Sequence, residues 1–410
     1  MADKAENLIE FINNNICSSK RIIEKDVTNL TAPGENYWSD MLKINLTVIN
    51  DETGSTEEIN VCAKCVVQES EQTIFNIQMF KSEINFYREI IPTIQQFLND
   101  HGLPEITFFP KLVCARLNLD GGAVPDKNAV LILENLKNQG YENLDRHKGF
   151  DLEAAKLVLN DLAVFHAVPL ALKLKDPQTF KQKIEDNCTL LPPKPKDEPE
   201  REHHKASFPF ALLTSILKQD IYCRTHIEEF EKFIKSQNEK FERGLSPFDY
   251  EYKGAFATLT HGDMWLNNTM QKLKDGKTVN NKFLDFQMCS IGNPAADLLF
   301  LLITSVDVPT LQNHFDYLLS FYHESFIKTL EAFKCDTKPF HYKNFLGVLK
   351  EAAMEKFFHI NLMNVTVIFV KKGVKHEFHK NDELQASDVH PVGRSKLCFM
   401  FKEMIRRDWY

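Results

Sequence analysis

The spacing of apolar residues changes about a third of the way along the chain. Leucine, isoleucine and valine occupy every second position over residues 42–48, which is the period of a half-buried strand. A second strand is predicted over 61–67, and the polar segment 50–55 between them contains Gly54. We expect these two strands to pair as an antiparallel hairpin. The first third of the chain thus favours a sheet, and most of the remainder favours helices.

A helix is predicted soon after the second strand. Apolar residues recur there at spacings of three and four, which places them on one helical face: Ile77, Phe80, Ile84, Tyr87 and Ile91. Pro92 is expected to end or kink this helix near Ile91.

The rest of the chain contains a few more predicted strands among predicted helices. Strands are expected at 111–116 and 129–134, and a helical pattern resumes over 151–167. The segments 269–273 and 278–285 flank Asp275-Gly276, a dipeptide typical of a tight hairpin turn. Helices are predicted from Pro294 onward. The proline-rich segment 191–204 is expected to be an exposed loop inside the helical part.

Charge and composition exclude several classes of protein. The 410 residues include 49 Lys and Arg against 57 Asp and Glu, so the net charge is −8. Such a chain is poorly suited to sequence-independent binding of nucleic acid, and we expect no nucleic-acid partner. Nine scattered cysteines do not resemble a secreted disulfide scaffold. The N-terminus lacks an apolar signal segment, and the longest apolar stretch, 298–306, is too short to span a bilayer. We therefore expect a cytoplasmic protein without a membrane span.

The densest polar motif lies at 260–268 and reads Thr-His-Gly-Asp-Met-Trp-Leu-Asn-Asn. The carboxylate of Asp263 could take a proton from a substrate hydroxyl. Asn268 could offer an amide oxygen to a metal, and Asp285, beyond the hairpin, could hold that metal against nucleotide phosphates. Phosphoryl transfer needs these groups because it depends on positioning and charge neutralisation. ATP and Mg²⁺ are the expected cofactors, since Mg²⁺ prefers hard oxygen ligands.

Four upstream residues fit the same chemistry. Lys64 lies in an apolar strand, where a buried ammonium needs an anionic partner, and Glu83 on the following helix is the candidate. An ordinary strand-edge lysine and a solvated glutamate are the alternatives. The strand 130–136 has the form of a hinge between lobes, where backbone groups of Glu134 and Leu136 could pair with an adenine edge. The alternative is a buried strand that runs into a loop.

The motifs together resemble the insect ecdysteroid 22-kinase-like family, also called CHK kinase-like proteins, in the choline kinase and aminoglycoside phosphotransferase group. The matching segments occur in the family's order at 33–39, Lys64, 80–89, 133–136, 261–268, 284–287 and 294–297. The resemblance implies an α+β, protein-kinase-like two-lobed fold. It implies a small N-lobe with an antiparallel sheet over 1–136 and a larger, mostly helical C-lobe over 137–410.

The resemblance also implies a role for each matching residue. Asp263 resembles the catalytic base, and Asn268 and Asp285 resemble the metal ligands. Lys64 and Glu83 resemble the pair that contacts the α- and β-phosphates.

Other matching residues are implied to bind ATP or to support the site. Asn36, Tyr37 and Ser39 fall in the phosphate-covering loop, whose single glycine is Gly34, so side chains must do some of the phosphate binding. The hinge reads Glu-Asn-Leu where the family usually has Glu-Asp-Leu. Two residues are implied to be structural supports of the catalytic loop: His261 within it, and Asp297 from the next helix.

The sequence leaves three functions open. The first is an ATP-dependent kinase that acts on a hydroxyl of a small lipophilic molecule, such as an ecdysteroid or a xenobiotic alcohol. The second is a catalytically silent relative that binds ligands, which the presence of Asp263, Asn268 and Asp285 disfavours. The third is a protein kinase, which the short segment between Asp285 and Pro294 disfavours. No protein partner is expected, and no spacing in the helical part names the acceptor.

Overall fold

The structure is a computed structural model that describes residues 2–16, 20–30, 39–66, 74–188, 210–242, 252–371 and 384–410. The strands are β1 Lys20–Asn29, β2 Ser39–Asn50, β3 Thr56–Val66, β4 Leu112–Arg116, β5 Val130–Glu134, β6 Tyr141–Glu142, β7 Thr258–Thr260, β8 Thr269–Lys274, β9 Lys277–Phe283 and β10 Ser290–Gly292. The α-helices are α1 Ala2–Ile16, α2 Ile74–Asn85, α3 Ile91–Asp100, α4 Leu152–Lys175, α5 Pro177–Thr179, α6 Phe210–Gln219, α7 Ile221–Thr225, α8 Ile227–Glu242, α9 Pro294–Ser305, α10 Val308–Ala332, α11 Tyr342–Leu362 and α12 Pro391–Arg407.

Short helical turns of other types join these elements. The π-helical segments are Phe86–Ile90, Phe180–Ile184 and Met363–Ile368. The 3₁₀ turns are Leu136–Gln139, Glu185–Asn187, Leu266–Asn268, Phe286–Met288, Lys338–Phe340 and Ala386–Asp388.

The small lobe is built on a five-stranded antiparallel sheet with the order β1-β2-β3-β5-β4. The predicted alternation in β2 is confirmed, because the apolar side chains from Leu42 to Val48 are all buried. They pack with Leu8, Ile9 and Ile12 of α1 in a separate apolar cluster. The predicted β2–β3 hairpin and the predicted strands β4 and β5 are also present. Helix α1 and strand β1 were not predicted.

The helical segment that follows β3 does not end at Pro92, as the sequence suggested it could, but contains a π-helical irregularity just before it. Helix α2 ends at Asn85, the next five residues form the π-helical segment Phe86–Ile90, and α3 begins at Ile91 with Pro92 in its first turn. Asn85, Ile90 and Ile91 all have right-handed helical dihedrals, and the Ile91 N–H donates to the Phe86 carbonyl, so the chain stays helical through Pro92 to Asp100. The ring of Phe86 stacks on Phe286 of the large lobe with centroids 3.7 Å apart. This contact packs the helix against the segment that follows Asp285.

The large lobe is mostly helical and is organised around α4. This helix packs along α10 and against β7 and β9, and it continues to Lys175, beyond its predicted end. The predicted β8–β9 hairpin is confirmed, with Asp275 and Gly276 both at positive φ in its turn. Helices α9 to α12 fill the C-terminal part, as expected. The proline-rich segment 191–204 lies outside the described residues.

These features confirm the expected α+β fold, with a small antiparallel-sheet lobe and a larger, mostly helical lobe. One helix in the described part of the chain, α4, is long and apolar enough to cross a membrane by length and composition. Most of its residues are buried in the core of the large lobe.

Candidate active site

Lys64 of β3 connects the two lobes. Its Nζ lies 2.5 Å from Oε2 of Glu83 on α2, so the contact predicted from the sequence is present. The same Nζ lies 2.7 Å from Oδ1 of Asp285 in the large lobe. Lys64 and Glu83 are buried, whereas the Asp285 side chain is part-exposed. One ammonium therefore faces two carboxylates at the junction of the lobes.

This arrangement leaves a surplus of negative charge. Burial alone would lower the pKa of Lys64, but the charges of Asp285 and Glu83 outweigh it and raise the pKa above its ordinary value. Burial raises the pKa of Glu83, and Lys64 opposes that shift. Because a single ammonium cannot neutralise both carboxylates, the site favours an added cation.

Asp285 has an uncommon backbone conformation. Its φ and ψ are 65° and 64°, the left-handed region in which a residue other than glycine is strained by about 1–3 kcal/mol. The preceding residue, Leu284, is fixed on both sides: its N–H donates to the Asn268 carbonyl at 2.9 Å, and its carbonyl lies 2.8 Å from Nε2 of His261. Hydrogen bonds thus join the segment of Asp285 to residues 261–268, the candidate catalytic loop.

Asp263 and Asn268 are in direct contact, as the phosphoryl-transfer hypothesis requires. The Asn268 amide Nδ2 donates to the Asp263 carbonyl at 2.8 Å and to its carboxylate Oδ2 at 2.9 Å. Both of these contacts use the amide nitrogen, so the amide oxygen Oδ1 is the atom that could serve as a metal ligand. Hard oxygen donors from Asn268 and Asp285 fit Mg²⁺.

The protonation of Asp263 is shifted by its surroundings. Burial and the nearby charge of Asp285 raise its pKa to about 7, against the opposing hydrogen bond from Asn268. A carboxylate with this pKa can both accept and hold a proton near neutral pH, which is the property of a general base.

The loop before Asp263 needs glycine at position 262. Gly262 has a φ of 83°, and a Cβ at this position would lie 2.5 Å from the carbonyl oxygen of Met288. Another residue would therefore meet both an unfavourable backbone conformation and a backbone clash.

His261 is a buried support within the same loop. The Asp263 N–H donates to its Nδ1 at 3.3 Å, so Nε2 carries the proton that is shared with the Leu284 carbonyl. Burial lowers the pKa of His261, which agrees with this neutral form.

Asp297 of α9 binds the backbone of the candidate catalytic loop at His261 and Gly262. Its Oδ2 accepts the His261 N–H at 2.6 Å, and its Oδ1 accepts the Gly262 N–H at 3.0 Å. His166 of α4 lies 3.1 Å from Oδ2, and its other ring nitrogen lies 2.7 Å from the Tyr322 hydroxyl. Burial would raise the pKa of Asp297, but these hydrogen bonds and the His166 ring outweigh it and lower the pKa.

The sequence motifs did not point to His166 or Tyr322. Their contacts join residues more than a hundred positions apart, which local patterns do not show. The available signal was a histidine at the centre of the otherwise apolar segment 162–172.

The predicted hinge lies at the end of β5. The Glu134 N–H donates to the Lys111 carbonyl at 3.0 Å, so a contact from this residue to adenine would have to use its carbonyl. Leu136 is buried at the start of a 3₁₀ turn whose cap is Asn135. Their contacts to a nucleotide remain predictions.

The predicted phosphate-covering loop lies largely outside the described residues. Asn36 and Tyr37 are not described, and Ser39 is the first residue of β2, with its side chain outside the described part. The roles predicted for these three residues remain predictions.

Residues 33–335 match the ecdysteroid kinase-like family, which is about three quarters of the chain. The chain belongs to the ecdysteroid kinase-like family. The family expected from the sequence is thereby confirmed. The matched region of this ecdysteroid kinase-like protein includes every candidate site residue, from Asn36 to Asp297. Membership supports a small-molecule kinase as its class of function.

The ecdysteroid kinase-like protein is also similar to solved structures of aminoglycoside 2′-phosphotransferase-IIIa. A single-residue mutant of that enzyme in its GDP complex has 12% identity and a TM-score of 0.40, with 88% of this chain and 89% of that chain covered. The wild-type GDP complex has 15% identity and a TM-score of 0.39, with coverage of 85% and 98%. No curated protein matches the chain in sequence.

Proposed function

We propose that this protein is an ATP-dependent, Mg²⁺-requiring kinase that phosphorylates a hydroxyl of a small lipophilic alcohol. The observation that carries the proposal is the contact of Asp263 with Asn268 beside Asp285, which in turn contacts Lys64. These residues are the base, the metal-ligand and the phosphate-binding candidates, and they converge at the junction of the lobes. Ecdysteroids are the first acceptors to test, because the family is named for its likeness to ecdysteroid kinases, and xenobiotic alcohols are the next.

The residues of this chain would divide the work as follows. Asp263 would accept the proton of the attacking hydroxyl, which a pKa of about 7 permits at neutral pH. Asn268 would orient the Asp263 carboxylate through its Nδ2 and offer Oδ1 to the metal. Bound Mg²⁺, held by Asn268 and Asp285, would supply neutralisation of phosphate charge.

Lys64 and Glu83 would act on the nucleotide side of the site. Lys64 would supply positive charge to the phosphates. Glu83 would keep the Lys64 ammonium in place, because its Oε2 lies 2.5 Å from Nζ. The support from Asp297 would keep the catalytic loop rigid, because three donors converge on its carboxylate. Rigid positioning matters here because phosphoryl transfer gains most of its rate from orientation and electrostatics.

Two observations favour a small acceptor over a protein. Asp285 is followed within nine residues by α9, whose first residue is Pro294, so there is little room for a peptide-docking segment. The net charge of −8 gives no general attraction to acidic partners.

The test is a transfer assay with the purified full chain, ATP and Mg²⁺. A panel of ecdysteroids, other sterols and phenolic alcohols would be read by mass spectrometry for the gain of one phosphate. The matched inactive control is Asp263→Asn. Nucleotide binding without product on any alcohol would favour the silent binding protein, and transfer to proteins alone would favour a protein kinase.

A further inference from the structure

A group of three potential metal ligands lies in the large lobe at the contact between α7 and α12. The carboxylate of Asp220 and the thiols of Cys223 and Cys398 offer one ligand atom each, and these atoms all lie within 4.8 Å of one another. Cys223 is fully buried, and Asp220 is part-exposed. None of these residues belongs to the candidate active site.

Local structure places two of the ligands on the same helical turn. Asp220 is the N-cap of α7, and its Oδ1 accepts the Cys223 N–H at 2.9 Å. This hydrogen bond fixes the carboxylate next to the residue that carries the first thiol. Cys398 comes from α12, and its backbone carbonyl lies 3.8 Å from the Cys223 sulfur. A metal at this position would therefore bind the two helices together.

The donor set suits a thiophilic divalent cation. Zinc takes cysteine sulfur at about 2.3 Å and carboxylate oxygen at about 2.0–2.2 Å, in a tetrahedral arrangement. Such an arrangement places the two sulfurs roughly 3.8 Å apart, so side-chain rotation of at most about an ångström would close the site. The partial exposure of Asp220 leaves a path for water to take the fourth position.

The charges around the group also fit a divalent cation. The ammonium of Lys402 lies 2.7 Å from Oδ2 of Asp220. Two thiolates and one carboxylate carry three negative charges, and a divalent cation together with Lys402 carries three positive charges. Buried charges are tolerated when they are paired in this way.

We propose that Asp220, Cys223 and Cys398 form a zinc site with an open fourth position, and that the metal joins α7 to α12. Zinc would bind the two sulfurs as thiolates, and the two thiol protons would pass to solvent. Residues 33–335 match the family, so Cys398 and Lys402 lie beyond the matched region. The proposal is independent of the kinase activity proposed above.

The test is metal binding to the full chain, purified under reducing conditions and stripped with a chelator. Titration with Co²⁺ should give one equivalent per chain and a thiolate-to-cobalt absorption band in the near ultraviolet, which Zn²⁺ should abolish. Cys223→Ser and Cys398→Ser should each weaken binding at least about tenfold and lose most of the band. Cys114→Ser is the matched control, because Cys114 is 6% exposed and Cys398 is 8% exposed. It should bind as the wild type does.

Asp220→Asn keeps the test decisive if the serine variants fail to fold. Asparagine caps a helix as well as aspartate does, so the fold should persist while the carboxylate ligand is lost. We expect Asp220→Asn to weaken Zn²⁺ binding about tenfold or more. Unchanged affinity in Asp220→Asn, or no Co²⁺ binding by the wild type, would overturn the proposal. Formation of a Cys223–Cys398 disulfide with peroxide in a chain that binds no metal would identify a redox pair instead.

Discussion

The ammonium of Lys64 lies 2.7 Å from the carboxylate of Asp285, although 221 positions separate them in the chain. Lys64 belongs to the small-lobe sheet, and Asp285 follows the hairpin of the large lobe. In this structure the lysine neutralises the very carboxylate that is proposed to hold Mg²⁺. A bound metal would therefore compete with Lys64 for Asp285 and would free its ammonium for the phosphates.

Replacement of Asp285 tests this competition. Asp285→Ala should abolish Mg²⁺-dependent turnover and weaken binding of Mg·ATP more than binding of metal-free ATP. The reason is that the variant removes a metal ligand but leaves the Lys64–Glu83 pair in place. Isothermal titration with and without Mg²⁺ would measure the two affinities. Equal losses under both conditions would remove Asp285 from the ligand set.

Replacement of Asp263 tests the base. Asp263→Asn should keep the fold and nucleotide binding and should lower turnover by about 10²–10⁴, the usual contribution of a positioned general base. The matched control is Asp161→Asn. Asp161 is another part-buried aspartate, on α4, with a pKa raised by burial to about 7 and a hydrogen bond from Asn281. Near-normal turnover in Asp263→Asn, or an equal loss in Asp161→Asn, would contradict the role of Asp263.

Local patterns made the strands and the main motif predictable from the sequence. The alternation over 42–48 requires one buried face, and the Asp275-Gly276 turn allows the positive φ of a tight hairpin, so both follow from a few neighbouring residues. Lys64 could be matched with Glu83 because an apolar strand cannot bury an unpaired ammonium.

The remaining features depend on contacts between distant parts of the chain. The contact of Lys64 with Asp285 was not predicted, because it forms only when the small-lobe sheet meets the large lobe. The support of Asp297 by His166 was not predicted either, because it forms only when α4 and α9 pack together. Helix α1 was missed because its apolar residues Leu8, Ile9 and Ile12 acquire their role by packing against a sheet formed later in the chain.

The contribution of Asp297 to the free energy of unfolding tests whether it supports the catalytic loop. Asp297→Asn should lower the free energy of unfolding by about 2–4 kcal/mol, because an amide offers one acceptor oxygen where three donors converge, and it leaves a buried donor facing another donor. Chemical denaturation at pH 7 would measure the change. Asp151→Asn is the control, because Asp151 only caps α4 and asparagine caps equally well.

The same variant should show a defined pH dependence. The pKa of Asp297 is lowered in the fold, so its contribution is fully present above the ordinary aspartate pKa of about 4 and is lost as pH falls through the folded value. The stability difference between wild type and Asp297→Asn should therefore shrink in acid. If the difference in free energy of unfolding stays constant down to about pH 2, Asp297 does not stabilise the loop as an ionised carboxylate.

The last prediction concerns Lys396 of α12, which is only 1% exposed. Its Nζ donates to the Thr304 carbonyl at 2.8 Å and lies over the ring of Phe369, but burial lowers its pKa to about 7, against the weaker opposing effect of Asp307. The unfolded chain keeps this lysine charged up to a pKa of about 10.4. Between these two values the unfolded state binds more protons, so stability should rise with pH, by up to about 1.4 kcal/mol per unit from this residue.

Lys396→Met should remove that rise and should stabilise the protein at pH 7 by roughly 1–3 kcal/mol, because methionine fills a similar volume without a charge to desolvate. Denaturation curves of wild type and variant at pH 7, 8 and 9 would give the two free energies of unfolding. The difference between these free energies should shrink as pH increases. Lys343→Met on the exposed face of α11 is the control and should leave the pH profile unchanged. A wild-type advantage that persists at every pH would mean that the hydrogen bond to Thr304 outweighs the cost of burying the ammonium.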